Sequence, residues 1–108
     1  MAKTLLQINV NYTGPLDDFK AGWMHAAGPI SKQPGLIWKI WIYNEDRNEA
    51  GGWYLFDSLE HAQGYLGGDL VAAFKANPTL SNISTKIFDI GEEPTAITHG
   101  PIREAVNA

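Results

Sequence analysis

Two lysines in strand-like segments are the residues of this sequence best suited to acid–base chemistry. Lys39 lies two residues before Trp41, and Lys86 lies two residues before Phe88, so each shares a strand face with an aromatic ring. A lysine that is desolvated among such rings loses basicity, and it can then serve as an acid, a base or an anchor for an anion. Lys39 and Lys86 are therefore the candidate catalytic residues. The competing interpretation is that the aliphatic part of each lysine packs along the sheet while its ammonium group lies in solvent.

Amide and aromatic side chains near these lysines are the candidate substrate-binding residues. Gln7 and Asn9 form a polar row on the first strand-like segment, where they either face solvent or line a cavity that satisfies them. Indole and phenol rings in the middle of the chain suit a flat apolar pocket, although most buried aromatics simply build cores. The aromatic candidates are Trp38, Trp41, Trp53 and Tyr54.

The sequence predicts neither a metal site nor a bound cofactor. His25, His61 and His99 fall on separate segments without clustered carboxylates, whereas a structural zinc site needs four grouped ligands. The absence of cysteine removes disulfides, thiolate nucleophiles and cysteine-based metal sites. Glycine-rich phosphate loops and the GxSxG nucleophile elbow are also missing from the sequence.

Length and composition predict one globular domain over residues 1–108, of which 92–108 form a C-terminal tail. Eight basic and twelve acidic residues give a formal charge of −4, which disfavours a nucleic-acid partner. No apolar run approaches the roughly 18 residues that a membrane span needs. The first residues, MAKTLLQINV, enter a strand pattern directly and lack the apolar core of a secretory signal, so we expect a cytoplasmic protein.

Hydrophobic periodicity predicts the element order strand, helix, strand, strand, helix, strand. The glycine pair Gly67–Gly68 interrupts the second helix, where we expect a kink or local unwinding. The predicted elements are a strand over 4–12, a helix over 15–32, a β-hairpin over 34–56, a helix from Ser58 to Asn77 and a strand over 82–90.

This βαββαβ order is typical of an α+β, ferredoxin-like fold, with four antiparallel strands in one layer and two helices on a single face. The hairpin strand LIWKIWIY is apolar on both faces, because Trp38 and Ile40 point one way while Ile37 and Trp41 point the other. The face without helices therefore needs a second cover. We expect that cover to be another copy of the chain in a homodimer.

Three segments resemble the YdhR-type mono-oxygenase family of bacteria, within the dimeric α+β barrel superfamily. They are LLQINVNYTGP, QPGLIWKIWIYNEDRNEAGGWYLF and KIFDIGEEP, and the resemblance extends over nearly the whole chain. It implies that two ferredoxin-like subunits pack their bare sheet faces together into a barrel. It also implies a pocket between sheet and helices or inside the barrel. Relatives in the superfamily include small oxygenases that oxidise polycyclic phenols without metal, haem or flavin.

The leading functional expectation is a cofactor-independent mono-oxygenase that acts on an aromatic or polycyclic small molecule. In such a reaction Lys39 or Lys86 stabilises the substrate anion, Asn9 or Gln7 holds an oxygen, and aromatic rings stack on the substrate. Two alternatives stay open at this point: an isomerase or dehydratase of the same superfamily, and a non-catalytic protein that binds an apolar metabolite.

Overall fold

The first strand shows how the sequence orients the sheet. In the computed structural model, which describes residues 2–102, β1 (Thr4–Tyr12) alternates strictly between buried and half-buried side chains. Leu6 and Ile8 are buried under the helices, whereas Gln7 and Asn9 lie on the opposite side. The alternation in the sequence predicted both faces of this strand correctly.

The predicted ferredoxin-like fold is confirmed. One four-stranded antiparallel sheet has the spatial order β2-β3-β1-β4, and the buried core lies between one of its faces and the helices. The remaining elements are α1 (Leu16–Ser31), β2 (Leu36–Asn44), a 3₁₀ turn (Glu45–Arg47), β3 (Glu49–Phe56), α2 (Leu59–Leu66), α3 (Asp69–Ala76), β4 (Leu80–Asp89) and α4 (Glu92–Ile97).

A register shift in β2 decides which side chains of the hairpin face the helices. Leu36 pairs with Phe56 and Trp38 pairs with Leu55, so one extra residue is accommodated between these two pairs. Beyond this bulge Lys39 lies opposite Tyr54, which points into the helix-covered core. The bulge therefore places Lys39 on the helix-facing side of the sheet.

At the glycine pair the structure has the predicted local unwinding, which divides the second helix into α2 and α3. The amides of Gly67 and Gly68 donate to the carbonyls of Gln63 and Tyr65, which closes the end of α2. Gly68 then has extended backbone, with φ −91° and ψ −179°, and it immediately precedes α3. None of the helices within residues 2–102 is long and apolar enough to cross a membrane.

We call the side of the sheet opposite α1, α2 and α3 the open face. The C-terminal segment covers part of it. After β4 the chain forms α4, and the indole nitrogen of Trp38 on β2 donates a 2.7 Å hydrogen bond to the carbonyl of Pro101. Because β4 and β2 are opposite edges of the sheet, the segment crosses from one edge to the other. The rest of the predicted tail, 103–108, lies outside the described residues.

The turn between α1 and β2 generates a stability prediction at Gly35. This glycine has φ +78°, and a Cβ there would overlap the hydrogen-bonded pair formed by His61 Nδ1 and Asp57 Oδ1. Gly35→Ala is expected to lower the free energy of unfolding by about 2 kcal/mol or more. Urea titration followed by tryptophan fluorescence measures the change.

Gly64→Ala is the matched control, since a Cβ at this position in α2 meets nothing within 4 Å. Alanine there is expected to raise stability by about 0.5–1 kcal/mol, the usual gain over glycine in a helix. A Gly35→Ala protein as stable as the wild type would contradict the steric argument.

Candidate active site

A cavity of about 430 Å³ lies between the helix-facing side of the sheet and the helices α1 and α3. Its lining is mostly apolar, with rings from both layers. Polar groups come from a cluster in which Thr13 and Thr79 pair through their backbone and Thr79 donates to the Asn77 carboxamide oxygen. The main lining side chains are Ile8, Val10, Thr13, Asp18, Phe19, Trp23, Lys39, Trp41, Tyr54, Phe74, Asn77 and Thr79.

Lys39 enters this cavity between two aromatic faces. Its Nζ lies 3.3 Å from the ring centroid of Trp41 and 4.5 Å from that of Tyr54. The side chain passes directly over Gly52, where a Cβ would overlap Lys39 Cε. The absence of a side chain at Gly52 is therefore what gives the lysine room to lie along the cavity floor.

The amine of Lys39 is desolvated without a compensating carboxylate in the described part of the chain. Asp18 also lines the cavity, but it forms no ion pair with Lys39, and the His61–Asp57 pair lies away from the lining. Burial lowers the pKa of Lys39 to about 7. The two ring faces oppose this shift because they attract the ammonium form. Near neutral pH a large share of Lys39 is consequently the free amine, which can accept a proton.

Tyr54 contributes its ring face rather than its hydroxyl. The Tyr65 hydroxyl donates a buried 3.1 Å hydrogen bond to the Tyr54 hydroxyl. Burial raises the pKa of Tyr54 well above its ordinary value, and the neighbouring Tyr65 adds to the effect. Tyr54 is thus a neutral phenol at physiological pH, and its ring holds the lysine in place.

The remaining aromatic wall is a chain of rings in contact. Tyr12 stacks on Phe19 with a centroid separation of 4.6 Å, and Phe19 meets Trp23 edge-on at 5.4 Å. Trp23 in turn lies 5.4 Å from Trp41, which joins α1 to β2. Rings packed in this way have little freedom to move, so the cavity has stiff, flat walls.

The structure brings three of the predicted site residues together and separates the others from them. Lys39, Trp41 and Tyr54 share the cavity. Lys86 pairs in register with Gln7 on the open face, so the two candidate catalytic lysines lie on opposite sides of the sheet. Their roles in catalysis stay predictions, and they would act in different sites.

The other substrate-binding candidates also lie on the open face. Gln7, Asn9 and Trp53 line a smaller hollow of about 200 Å³ there. Trp38 faces the same side and is hydrogen-bonded to the C-terminal segment. These residues belong to the surface on which we expect a second copy of the chain to pack.

Several cavity residues were not among the sequence candidates. Phe19, Trp23 and Phe74 line the cavity but are not among the residues that the sequence singled out. Gly52 was not a candidate either, although a Cβ there would overlap Lys39 Cε. The sequence signal that could have indicated these cavity residues is an apolar helix stripe that packs against a strand containing glycines.

The sequence matches the family model described as "Putative mono-oxygenase ydhR" over residues 5–101. The chain belongs to the ydhR family. No curated protein matches the sequence. This description assigns mono-oxygenase chemistry to the family and does not name a substrate.

Solved structures similar to this ydhR-family protein share its fold. SnoaB from Streptomyces nogalater, titled a cofactor-independent oxygenase, is 13% identical with a TM-score of 0.68, covering 85% of this chain and 96% of its own. The NE2512 protein of unknown function from Nitrosomonas europaea is 20% identical with a TM-score of 0.67, and the coverages are 83% and 90%. The heme-degrader MhuD from Mycobacterium tuberculosis, with two hemes bound, is 19% identical with a TM-score of 0.63, and the coverages are 81% and 95%.

The three histidines lie outside the cavity, since His25, His61 and His99 are all absent from its lining. Within residues 2–102 no group of three or more His, Cys, Asp or Glu side chains is arranged to hold a metal ion. The available chemistry of the cavity is that of an amine among aromatic rings.

The desolvation of Lys39 predicts a pH-dependent stability difference in Lys39→Met. The folded pKa of about 7 lies below the unfolded value, so above pH 7 the unfolded state binds more protons and wild-type stability rises with pH. Lys39→Met is expected to be more stable by about 2 kcal/mol at pH 7, with the gain shrinking toward pH 10. Urea titrations at several pH values measure this.

Lys32→Met is the control, because Lys32 is exposed directly after α1 and lies away from both the cavity and the open face. Its stability is expected to stay within about 0.5 kcal/mol of the wild type at pH 7. A Lys39→Met difference that is constant from pH 6 to pH 10 would show that the amine is not desolvated.

Gly52→Ala is expected to displace Lys39 and to raise its pKa from about 7 toward the ordinary value for lysine, because the new Cβ would occupy the place of Lys39 Cε. NMR titration of the lysine side-chain carbons reports this midpoint directly. Gly64→Ala leaves the cavity intact and should leave the midpoint unchanged. An unchanged titration midpoint of Lys39 in Gly52→Ala would show that Gly52 does not determine the position of the amine.

Proposed function

We propose that this protein is a cofactor-independent mono-oxygenase of a flat aromatic or polycyclic compound that carries an acidic O–H or C–H group. The supporting observation is Lys39, an amine with a lowered pKa inside an aromatic-walled cavity. The family description supports oxygenase chemistry independently. The substrate class is inferred from the shape and polarity of the cavity.

In this proposal Lys39 acts first as a general base. Its free amine takes the proton from the substrate, and the ammonium that forms stays beside the substrate anion. The low dielectric of the cavity strengthens that attraction, so the anion is stabilised where it is produced. A base with a pKa near 7 is well matched to proton transfer at neutral pH.

Oxygen is the oxidant in the next step. The electron-rich anion reduces O₂ and forms a carbon–oxygen bond, which gives a peroxide. Loss of water then leaves a carbonyl, so a CH₂ group and O₂ become C=O and H₂O. One oxygen atom is retained in the product and the other leaves as water, and Lys39 returns its proton to the departing oxygen.

The cavity supplies binding and exclusion of water. Its volume of about 430 Å³ lies within the usual range for small-molecule sites. Trp23 and Trp41 offer flat surfaces on which a polycyclic ring can stack. The apolar lining keeps bulk water from protonating the anion before it meets oxygen.

We further propose that the active form is a homodimer joined through the open face. Ile40, Trp53 and Phe88 lie on this face and are 45%, 42% and 44% exposed, which is unusual for large apolar side chains grouped on one surface. Packing against a second copy would cover them. The cavity around Lys39 lies on the other side of the sheet and would remain open to substrate.

Oxygen uptake by the purified protein tests the catalytic proposal. With a panel of anthrones, naphthols and quinols, at least one compound is expected to give protein-dependent uptake and a product carrying one atom from ¹⁸O₂. Lys39→Met should lower the rate by about 100-fold or more, the usual contribution of a general base, while Lys32→Met on the helical layer stays near the wild type.

Two results would contradict the proposal that the protein is an oxygenase. Solvent deuterium exchange or isomerisation of a panel compound without oxygen uptake would indicate proton-transfer catalysis alone. Tight binding with no conversion of any compound would indicate a binding protein.

Sedimentation of a surface variant tests the dimer. Trp53→Glu is expected to give a monomer at micromolar concentration, because a carboxylate would be buried in the interface. Met24→Glu on α1 is the control, since Met24 is 79% exposed on the helical layer and should leave the dimer intact. A wild-type protein that sediments as a monomer would overturn this part of the proposal.

A further inference from the structure

Lys39 differs from the other described lysines in its surroundings. It is the lysine that lines the cavity within residues 2–102. Lys20 also lies over a ring, but it donates a 3.1 Å hydrogen bond to the Tyr43 hydroxyl, and this contact raises the pKa of Lys20. Lys32 is exposed directly after α1. The chain thus offers one sequestered amine beside solvated ones.

An amine of this kind is a nucleophile. A protonated lysine has no lone pair to donate, and at pH 7 an ordinary surface lysine is unprotonated in roughly one molecule in a few thousand. Desolvation in an apolar pocket is one way in which proteins activate lysine toward carbonyl compounds. The rings of Trp41 and Tyr54 restrict the direction from which a carbonyl can approach the nitrogen.

We propose that Lys39 captures aromatic aldehydes and unhindered aryl ketones covalently, by forming an imine inside the cavity. The lysine nitrogen attacks the carbonyl carbon, and the carbinolamine that results loses its hydroxyl together with the nitrogen-bound proton as water. One C=N bond replaces the C=O bond, and no oxidant or reductant is needed. The capture uses the cavity of the proposed oxygenase but none of its oxygen chemistry.

The cavity also limits which carbonyl compounds are captured. Its aromatic walls favour a flat body of two or three fused rings, with the carbonyl carbon directed at Nζ. Asp18 contributes a carboxylate to the lining, and this carboxylate disfavours carbonyl compounds that carry a negative charge. The apolar surroundings keep water away from the imine and slow its hydrolysis.

Reductive trapping under anaerobic conditions tests this proposal. The full-length protein is incubated with 2-naphthaldehyde and sodium cyanoborohydride at pH 7, and the labelled lysines are identified by peptide mass mapping. Lys39 is expected to be labelled on the order of ten times faster than Lys20 or Lys32. Its labelling should be half-maximal near pH 7, whereas that of Lys20, whose pKa is raised by the contact with Tyr43, should rise only at strongly alkaline pH.

Two controls locate the reaction. Lys39→Met should remove the fast labelling, and Lys32→Met should retain it. In the wild type, 2-naphthol competes for the cavity without a carbonyl and should protect Lys39 but not Lys32, which keeps the test decisive if Lys39→Met fails to fold. Equal labelling of all lysines, or labelling of Lys39 that 2-naphthol does not reduce, would overturn the proposal.

The outcome is separable from that of the oxygen-uptake assay because oxygen is absent. Fast labelling of Lys39 without oxygenase activity would support the capture proposal and contradict the oxygenase proposal. Oxygen uptake without fast labelling of Lys39 would support the oxygenase proposal and contradict the capture proposal.

Discussion

The burial of one amine without a counter-charge is the constraint on which the candidate site depends. Lys39 is held by the faces of Trp41 and Tyr54 instead of by a carboxylate in the described chain. Ring faces attract an ammonium more weakly than an anion does, so the neutral form competes at physiological pH. A carboxylate in direct contact would have favoured the charged form of the lysine. The lowered basicity of the amine therefore follows from what surrounds it, and the fold supplies those surroundings from four strands and two helices.

Two backbone features deliver the amine to this position. The bulge between Leu36 and Trp38 changes the register of β2, and Gly52 leaves an empty place on the neighbouring strand for the lysine stem. Neither feature is chemically reactive. A strand with regular pairing, or with alanine at residue 52, would present the same lysine in another direction. Catalytic potential here is consequently a property of the sheet geometry as much as of the side chain.

Much of the fold was predictable because it depends on local pattern. Alternation gave both faces of β1, helical periodicity gave α1, and the YdhR-type resemblance agreed with the element order. The placement of Lys86 was not predictable in the same way. Alternation within each strand was visible, but whether Lys39 and Lys86 share a face depends on strand register, which long-range pairing determines. The complete break at Gly67–Gly68 likewise depends on how α2 and α3 dock separately on the sheet.

The contact between Trp23 and Trp41 gives the cavity an optical property of its own. Two indoles whose centroids are 5.4 Å apart and whose planes are tilted by 40° are close enough for their excited states to couple. Coupled transitions of this kind give a paired positive and negative band in circular dichroism, whose size depends on the angle between the rings. A ligand that stacks on either indole would change the transitions that couple. The size of the paired bands would then report occupancy of the cavity without any attached dye.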